Sequence, residues 1–142
     1  MGSCISNKLD KIDCSQFKDF SYNGTTCYAK VVSVYDGDTV RIIFDDKGVL
    51  KQYRIRLYGI DTPEIKPRLN IKNRDQEINK AKKAKEFVAG LILEKVIWIK
   101  MLGFDKYGRI LGSIYVKKND EKSISDLLIE NKLGMPYFGG TK

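Results

Sequence analysis

The sequence predicts an α+β fold that is mainly β, a five-stranded barrel with two or three packed helices. Three observations carry this expectation. Five short segments are rich in β-branched and aromatic residues, the composition that suits a pleated surface. The first three follow one another through tight Gly-containing turns, which makes a meander. A long stretch between the third and fourth segments repeats its apolar residues at helical spacing, and a shorter helical stretch follows the fifth.

Taken in order, residues 1–22 are polar and mixed in charge and read as a flexible N-terminal extension, leaving 23–142 as the folded domain. Asn23-Gly24 is a turn signal that opens it. Cys27 to Tyr35 is the first strand, Asp36-Gly37-Asp38 the turn, and Thr39 to Phe44 the return strand. Asp45-Asp46-Lys47-Gly48 turns the chain again into Val49 to Tyr58, with Tyr53, Ile55 and Leu57 on one face and Arg54, Arg56 and Tyr58 on the other. A helix over Arg74 to Leu93 places Ile78, Ala81, Ala84, Val88, Leu91 and Ile92 toward the core, with Asn73 as its cap and Gln76 completing a capping-box-like pair. Val96 to Met101 and Arg109 to Val116 are the last two strands. A hairpin at Lys118-Asn119-Asp120 leads to a second helix over Ile124 to Asn131, which Gly134 and Pro136 end. Five short strands that begin as a meander suit a small closed barrel of the OB-fold type.

Composition narrows the function. The chain has 142 residues, 42% hydrophobic and 31% charged, which fits one folded domain with a single core. A net charge of +8 points to a polyanionic partner, nucleic acid or an anionic membrane surface. There is no histidine, so histidine acid–base chemistry and His-rich zinc sites are excluded, and any base is expected to be a carboxylate. A bound metal would then take oxygen ligands, which favours calcium, magnesium or manganese. Cys4, Cys14 and Cys27 lack a CxxC spacing, which argues against a zinc ribbon and leaves a Cys14–Cys27 disulfide open. No segment approaches the roughly 18 apolar residues of a membrane span. The start lacks an apolar signal core, so an intracellular location is expected.

Three segments carry the chemistry: Asp36-Gly37-Asp38-Thr39, then Arg56 with Asp61-Thr62-Pro63-Glu64, then Asp105-Lys106-Tyr107-Gly108-Arg109. Asp36, Asp38 and Asp61 can cradle a hard cation, Glu64 is left as a base, and Arg56 and Arg109 can clamp a phosphate. Asp38 and Asp61 fall near the ends of strands that a meander makes neighbours. Pro63 fixes φ just before Glu64 and stiffens the turn that aims it. Each segment alone has an ordinary reading, as a hairpin turn, a helix cap or a turn into a strand. Their combination is what suggests phosphodiester hydrolysis.

VYDGDTV, RLYGIDTPE and DKYGR resemble, in order and separation, the three signature segments of the staphylococcal nuclease family. The resemblance covers roughly residues 25 to 138. It implies an OB-fold barrel with helices, and calcium-dependent hydrolysis of DNA and RNA that leaves 3′-phosphate ends. It further implies that Asp38 and Asp61 bind one Ca2+ with the Thr62 carbonyl, and that Asp36 acts in the outer shell through water. Glu64 would hold the attacking water as general base, and Arg56 and Arg109 the scissile phosphate. Lys106, Tyr107 and Tyr137 match positions that line the nucleotide pocket. The loop after Glu64 differs from the family prototype, so substrate access is its own question.

Eight Lys or Arg between Lys66 and Lys85, against Asp75 and Glu77, form either a solvated face or an electrostatic track for a nucleic-acid backbone, preferably single-stranded. Met1-Gly2-Ser3-Cys4-Ile5-Ser6 fits the N-myristoylation pattern at Gly2, with Cys4 as a palmitoylation position; the protein, expected to be a monomer, would sit at the cytosolic face of a membrane if acylated there and in the cytoplasm otherwise. Two other readings compete with the enzyme. A catalytically silent OB-fold binding module would not need all of Asp38, Arg56, Asp61, Glu64 and Arg109. A membrane-tethered phosphate binder would not need Glu64.

Overall fold

The computed structural model describes residues 2–139, and of residues 2–5 the backbone alone. Two helical pieces precede the strands, α1 over Gly2–Asp10 and a 3-10 turn over Cys14–Gln16. There follow β1 (Thr26–Asp36), β2 (Thr39–Asp46), β3 (Val49–Leu57) and β4 (Gly59–Asp61). Next come α2 (Arg74–Ile92), β5 (Val96–Phe104), β6 (Ile110–Tyr115), α3 (Ile124–Glu130) and β7 (Met135–Tyr137). Five strands close into a barrel in the order β1-β2-β3-β6-β5, with β5 pairing back onto β1. Every neighbouring pair is antiparallel except β3 and β6. The expected mainly β architecture, a five-strand barrel with helices, is the one observed.

The barrel closes because its long strands bend. Register shifts in β1 between Val31 and Ser33 and between Val34 and Asp36, and in β5 between Met101 and Gly103, are bulges that increase twist and curvature. Period-two alternation then fills the interior with Val31, Ile42, Ile55, Ile97, Ile99, Ile110 and Ile114, all buried. The β2–β3 hairpin turns on Lys47 and Gly48, both at positive φ, as a two-residue loop with primed twist requires. The helix α2 lays Ala81, Ala84, Val88 and Ile92 on the core, and Ile78 and Leu91 are half-buried at the margins of that stripe.

Several sequence expectations need correction. Asn73 stands at the start of α2 in a left-handed conformation with no side-chain cap bond, so the capping pair with Gln76 does not form. The helix with a capping box is α3, where Ser123 and Asp126 exchange side-chain-to-backbone bonds of 3.2 and 3.0 Å. Lys118-Asn119-Asp120 is a turn into α3 rather than a hairpin, since the element after it is a helix and not a strand paired with β6. Tyr22, assigned to the extension, is buried. Its ring stands edge-on to Phe44 and Tyr53 and its hydroxyl donates to Asp46 at 2.9 Å. Apart from Phe20, whose ring meets it edge-on, its partners lie more than twenty residues on. Cys14 and Cys27 are free thiols. Gly2 and Cys4 lie in α1, and their side chains fall outside the described residues.

The sequence reading also missed a second, two-stranded sheet, β4 with β7. Gly59 at φ 82° kinks the chain out of β3, and Asp61 then pairs with Met135 and Gly59 with Tyr137. Ser125 Oγ donates to the Tyr58 carbonyl at 2.8 Å and ties α3 to that kink. This small sheet carries Asp61 and Tyr137 to the same end of the barrel as the β1–β2 turn.

Candidate active site

The β1–β2 turn is built to bury acid. The Asp36 carboxylate accepts the Asp38 N–H at 3.1 Å, closing a tight turn over Gly37. Gly37 itself has no room for a side chain: a Cβ there would stand 2.8 Å from Ala84 Cβ and 2.9 Å from Thr62 Cγ2. The turn is thus clamped between α2 and the segment after β4. Asp38 faces that segment and accepts the Thr62 N–H at 3.2 Å through one oxygen and the Thr39 hydroxyl at 3.0 Å through the other. Burial, and next the charge of Asp38, push the Asp36 carboxyl up to about 7. Two adjacent buried carboxylates are therefore short of positive charge.

Arg56 supplies part of it. Its guanidinium lies 3.6 Å from Asp38 Oδ2 and 3.6 Å from Asp61 Oδ1, and one nitrogen donates to the Leu57 carbonyl at 2.9 Å. The two carboxylates thus converge on one arginine, with Asp61 delivered by β4 and Asp38 by the turn. The 3.6 Å separations exceed the hydrogen-bond range, so Arg56 is held beside these acids by charge more than by directed bonds.

Arg109 is held more tightly. Asp105 accepts its Nε–H at 2.7 Å and its backbone N–H at 2.9 Å, and also accepts the Tyr107 N–H at 2.9 Å. Partial burial pushes the Asp105 carboxyl up, but these hydrogen bonds and the Arg109 charge outweigh it and hold the carboxyl below its ordinary value. The free edge of Arg109 reaches Thr39 Oγ1 at 3.5 Å, and its carbon lies 5.4 Å from the Tyr107 ring centre.

These groups open into a cleft of about 890 Å³ on the outer wall of β1, β2 and β3. Asp36, Asp38, Arg56, Glu64, Arg109, Lys106, Tyr107 and Tyr137 all line it. Asp61 and Thr62 stand just behind, reached through Arg56 and Asp38. The structure therefore brings together every residue that the sequence singled out in the folded domain. Glu64 is exposed in this cleft, so its carboxylate is open to water. Thr62 Oγ1 is the one buried side-chain polar atom without a hydrogen-bond partner among the described residues. Sequence reading missed Ser33, Tyr35, Arg41 and Ile65 on the cleft wall, placed Lys66 only in the basic run, and gave Arg54 a face but no part in the site. The signal was present for Arg41, two residues along the strand from Thr39 and so on the same face.

The family described as "Staphylococcal nuclease homologue" matches residues 54–139, more than half of the chain. The chain belongs to this family. The matched stretch holds Arg56, Asp61, Glu64 and Arg109, and the β1–β2 acids precede it. Among curated relatives, a probable endonuclease of Yarrowia lipolytica is 28% identical over 138 residues, 83% of this chain and 59% of that protein. An uncharacterized endonuclease of Escherichia coli is 36% identical over 88 residues, 62% of this chain and 48% of that protein. An uncharacterized lipoprotein of Mycoplasma genitalium is 37% identical over 93 residues, 64% of this chain and 36% of that protein. The chain thus spans from about a third to three fifths of the length of these relatives.

Proposed function

We propose that the chain is a calcium-dependent, sugar-non-specific nuclease. It hydrolyses phosphodiester bonds of DNA and RNA, prefers single strands, and leaves 3′-phosphate ends. One observation carries this reading: Arg56 bridges Asp38 and Asp61 at the base of a cleft that also receives Glu64 and Arg109. Two of the relatives above bear the word endonuclease in their names, which supports the same reading.

The donor set fits a hard cation. Its ligands would all be oxygen, Asp36 and Asp38 carry more negative charge than their surroundings offset, and Thr62 Oγ1 is buried without a partner among the described residues. No three acidic, His or Cys side chains close a cage there among the described residues, so water and substrate oxygens would complete the coordination. Calcium held by Asp38, Asp61 and the Thr62 carbonyl, with Asp36 in the outer shell, would supply positive charge against the phosphate.

The chain's own residues do the rest. Glu64 takes a proton from water, and the hydroxide formed attacks phosphorus. The bond from phosphorus to the 5′-oxygen breaks, and that oxygen leaves protonated by solvent. Arg56 and Arg109 donate to the non-bridging oxygens, where negative charge grows in the transition state. Asp105 holds Arg109 aimed at the cleft. The test is digestion of heat-denatured DNA by purified protein in calcium and in chelator. Fragments with 3′-phosphate ends in calcium alone are expected. No cleavage in either would reject the nuclease reading, and equal cleavage in both would reject the metal.

A further inference from the structure

We propose that Arg41 and Arg54 form a second phosphate clamp, one nucleotide along the strand from the phosphate that Arg56 and Arg109 would hold. The inference rests on the nucleic-acid substrate proposed above and gives that substrate a footprint.

The two arginines stand directly opposite each other across the β2–β3 ladder, and both are exposed on the cleft wall. Like charges placed opposite each other in a sheet destabilise it. The ordinary role of a surface arginine is to pair with an acid, as Lys51 does with Asp46 and Lys122 with Glu130. Among the described residues, neither Arg41 nor Arg54 forms an ion pair with a carboxylate. Ser33, the third member of the same row, pairs with Arg41 across β1 and β2 and adds a hydroxyl rather than a charge to offset them. An anion between the guanidiniums removes the repulsion and uses both forks.

Placement identifies the anion. Thr39 and Arg56 form the neighbouring row of the same ladder, two residues along each strand. Both rows face outward, since Val40 and Ile55 between them are buried in the barrel. Two residues of strand span about 7 Å, close to the spacing of successive phosphates in an extended single strand. The rows thus match consecutive phosphodiesters of one strand, and the closed barrel holds that spacing rigid. The cleft's acids Asp36, Asp38 and Glu64 gather at the catalytic end, leaving the Arg41–Arg54 wall basic.

The probe is a fluorescein-labelled oligothymidylate of about 10 nucleotides, a length within the span of a single OB-fold. Fluorescence anisotropy in chelator reads binding without cleavage. Arg41→Gln and Arg54→Gln should each weaken binding about 10-fold at low salt. Each should also make the slope of log K against log salt shallower by about 0.7, one single-strand phosphate contact. Thermal melts of the free protein should show both variants at least as stable as the wild type, because the repulsion is gone. Wild-type binding with unchanged affinity and slope in the variants would overturn the clamp and leave the nuclease reading standing. A marked drop in melting temperature would also overturn it, by making the pair structural. Failure of the wild type to bind the oligonucleotide at all would overturn both.

Discussion

Asp105 and Arg109 show how a site residue depends on a neighbour that takes no part in the chemistry. Asp105 accepts three hydrogen bonds, two of them from Arg109, and its carboxyl is held below its ordinary value. A carboxyl depressed in the folded state binds fewer protons there than in the unfolded chain, so it adds stability above the unfolded value near 4. That stability is lost as pH falls through the folded value. Asp105→Asn should therefore lower the melting temperature at neutral pH and have a smaller effect in acid below about pH 3. Melts across the acid range check this, and parallel curves for the two proteins would refute it. Glu64 is a different case, since it is exposed and supports little of the fold. Glu64→Gln should leave the circular dichroism spectrum unchanged while turnover falls about 10²- to 10⁴-fold. Turnover near that of the wild type would mean that another group is the base. Arg56→Lys should also be poorly active, because an ammonium cannot reproduce the guanidinium fork. These residues were legible because they lie in short motifs. The buried hydroxyl of Thr62 was not, because its isolation depends on α2 and the β1–β2 turn closing around it.

At the scale of elements, the barrel strands and α2 were legible because each repeats a pattern over many residues. The paired strands β4 and β7 were not, since three residues each give no period, and they join across more than seventy positions of chain. They nonetheless place Asp61. Gly134 shows how closely this packing is drawn: a Cβ there would come within 2.7 Å of Ile60 Cδ1 and 3.0 Å of the Asp61 carbonyl oxygen. A similarly close junction, and the one that bears on the acids, is Gly37 against Ala84 and Thr62. Gly37→Ala should cost about 1–3 kcal/mol through overpacking, measurable by urea denaturation. It should also lower activity beyond its effect on folding, because the shift falls on Asp38 and Thr62. Ala84→Gly in the same chain removes one of the clashes and should restore part of the activity, although Gly in a helix itself costs about 1 kcal/mol. Normal activity in Gly37→Ala would show that the turn tolerates displacement.

Over the whole molecule, charge is the property that the sequence announced and the fold distributes. The basic run from Lys66 to Lys85 divides between a cleft-wall segment, with Lys66, and the exposed side of α2, with Lys80, Lys82 and Lys83. The close approach of Ala84 to Gly37 fixes α2 against the β1–β2 turn, so its lysines flank the acidic end of the cleft without entering it. Charges so placed act at a distance, raising the local concentration of a polyanion rather than aligning one phosphate. Such an effect decays over the Debye length, about 10 Å at 0.1 M salt and about 3 Å at 1 M. Reversing two of them, Lys82→Glu with Lys83→Glu, should slow association with single-stranded DNA several-fold in low salt, while the dissociation rate changes little. The difference from wild type should shrink steadily as salt is added. Stopped-flow association rates in chelator across a salt series measure this directly. A defect that persisted in high salt would mean that these lysines contact the strand, and a defect absent at every salt concentration would make that side of α2 an ordinary solvated surface.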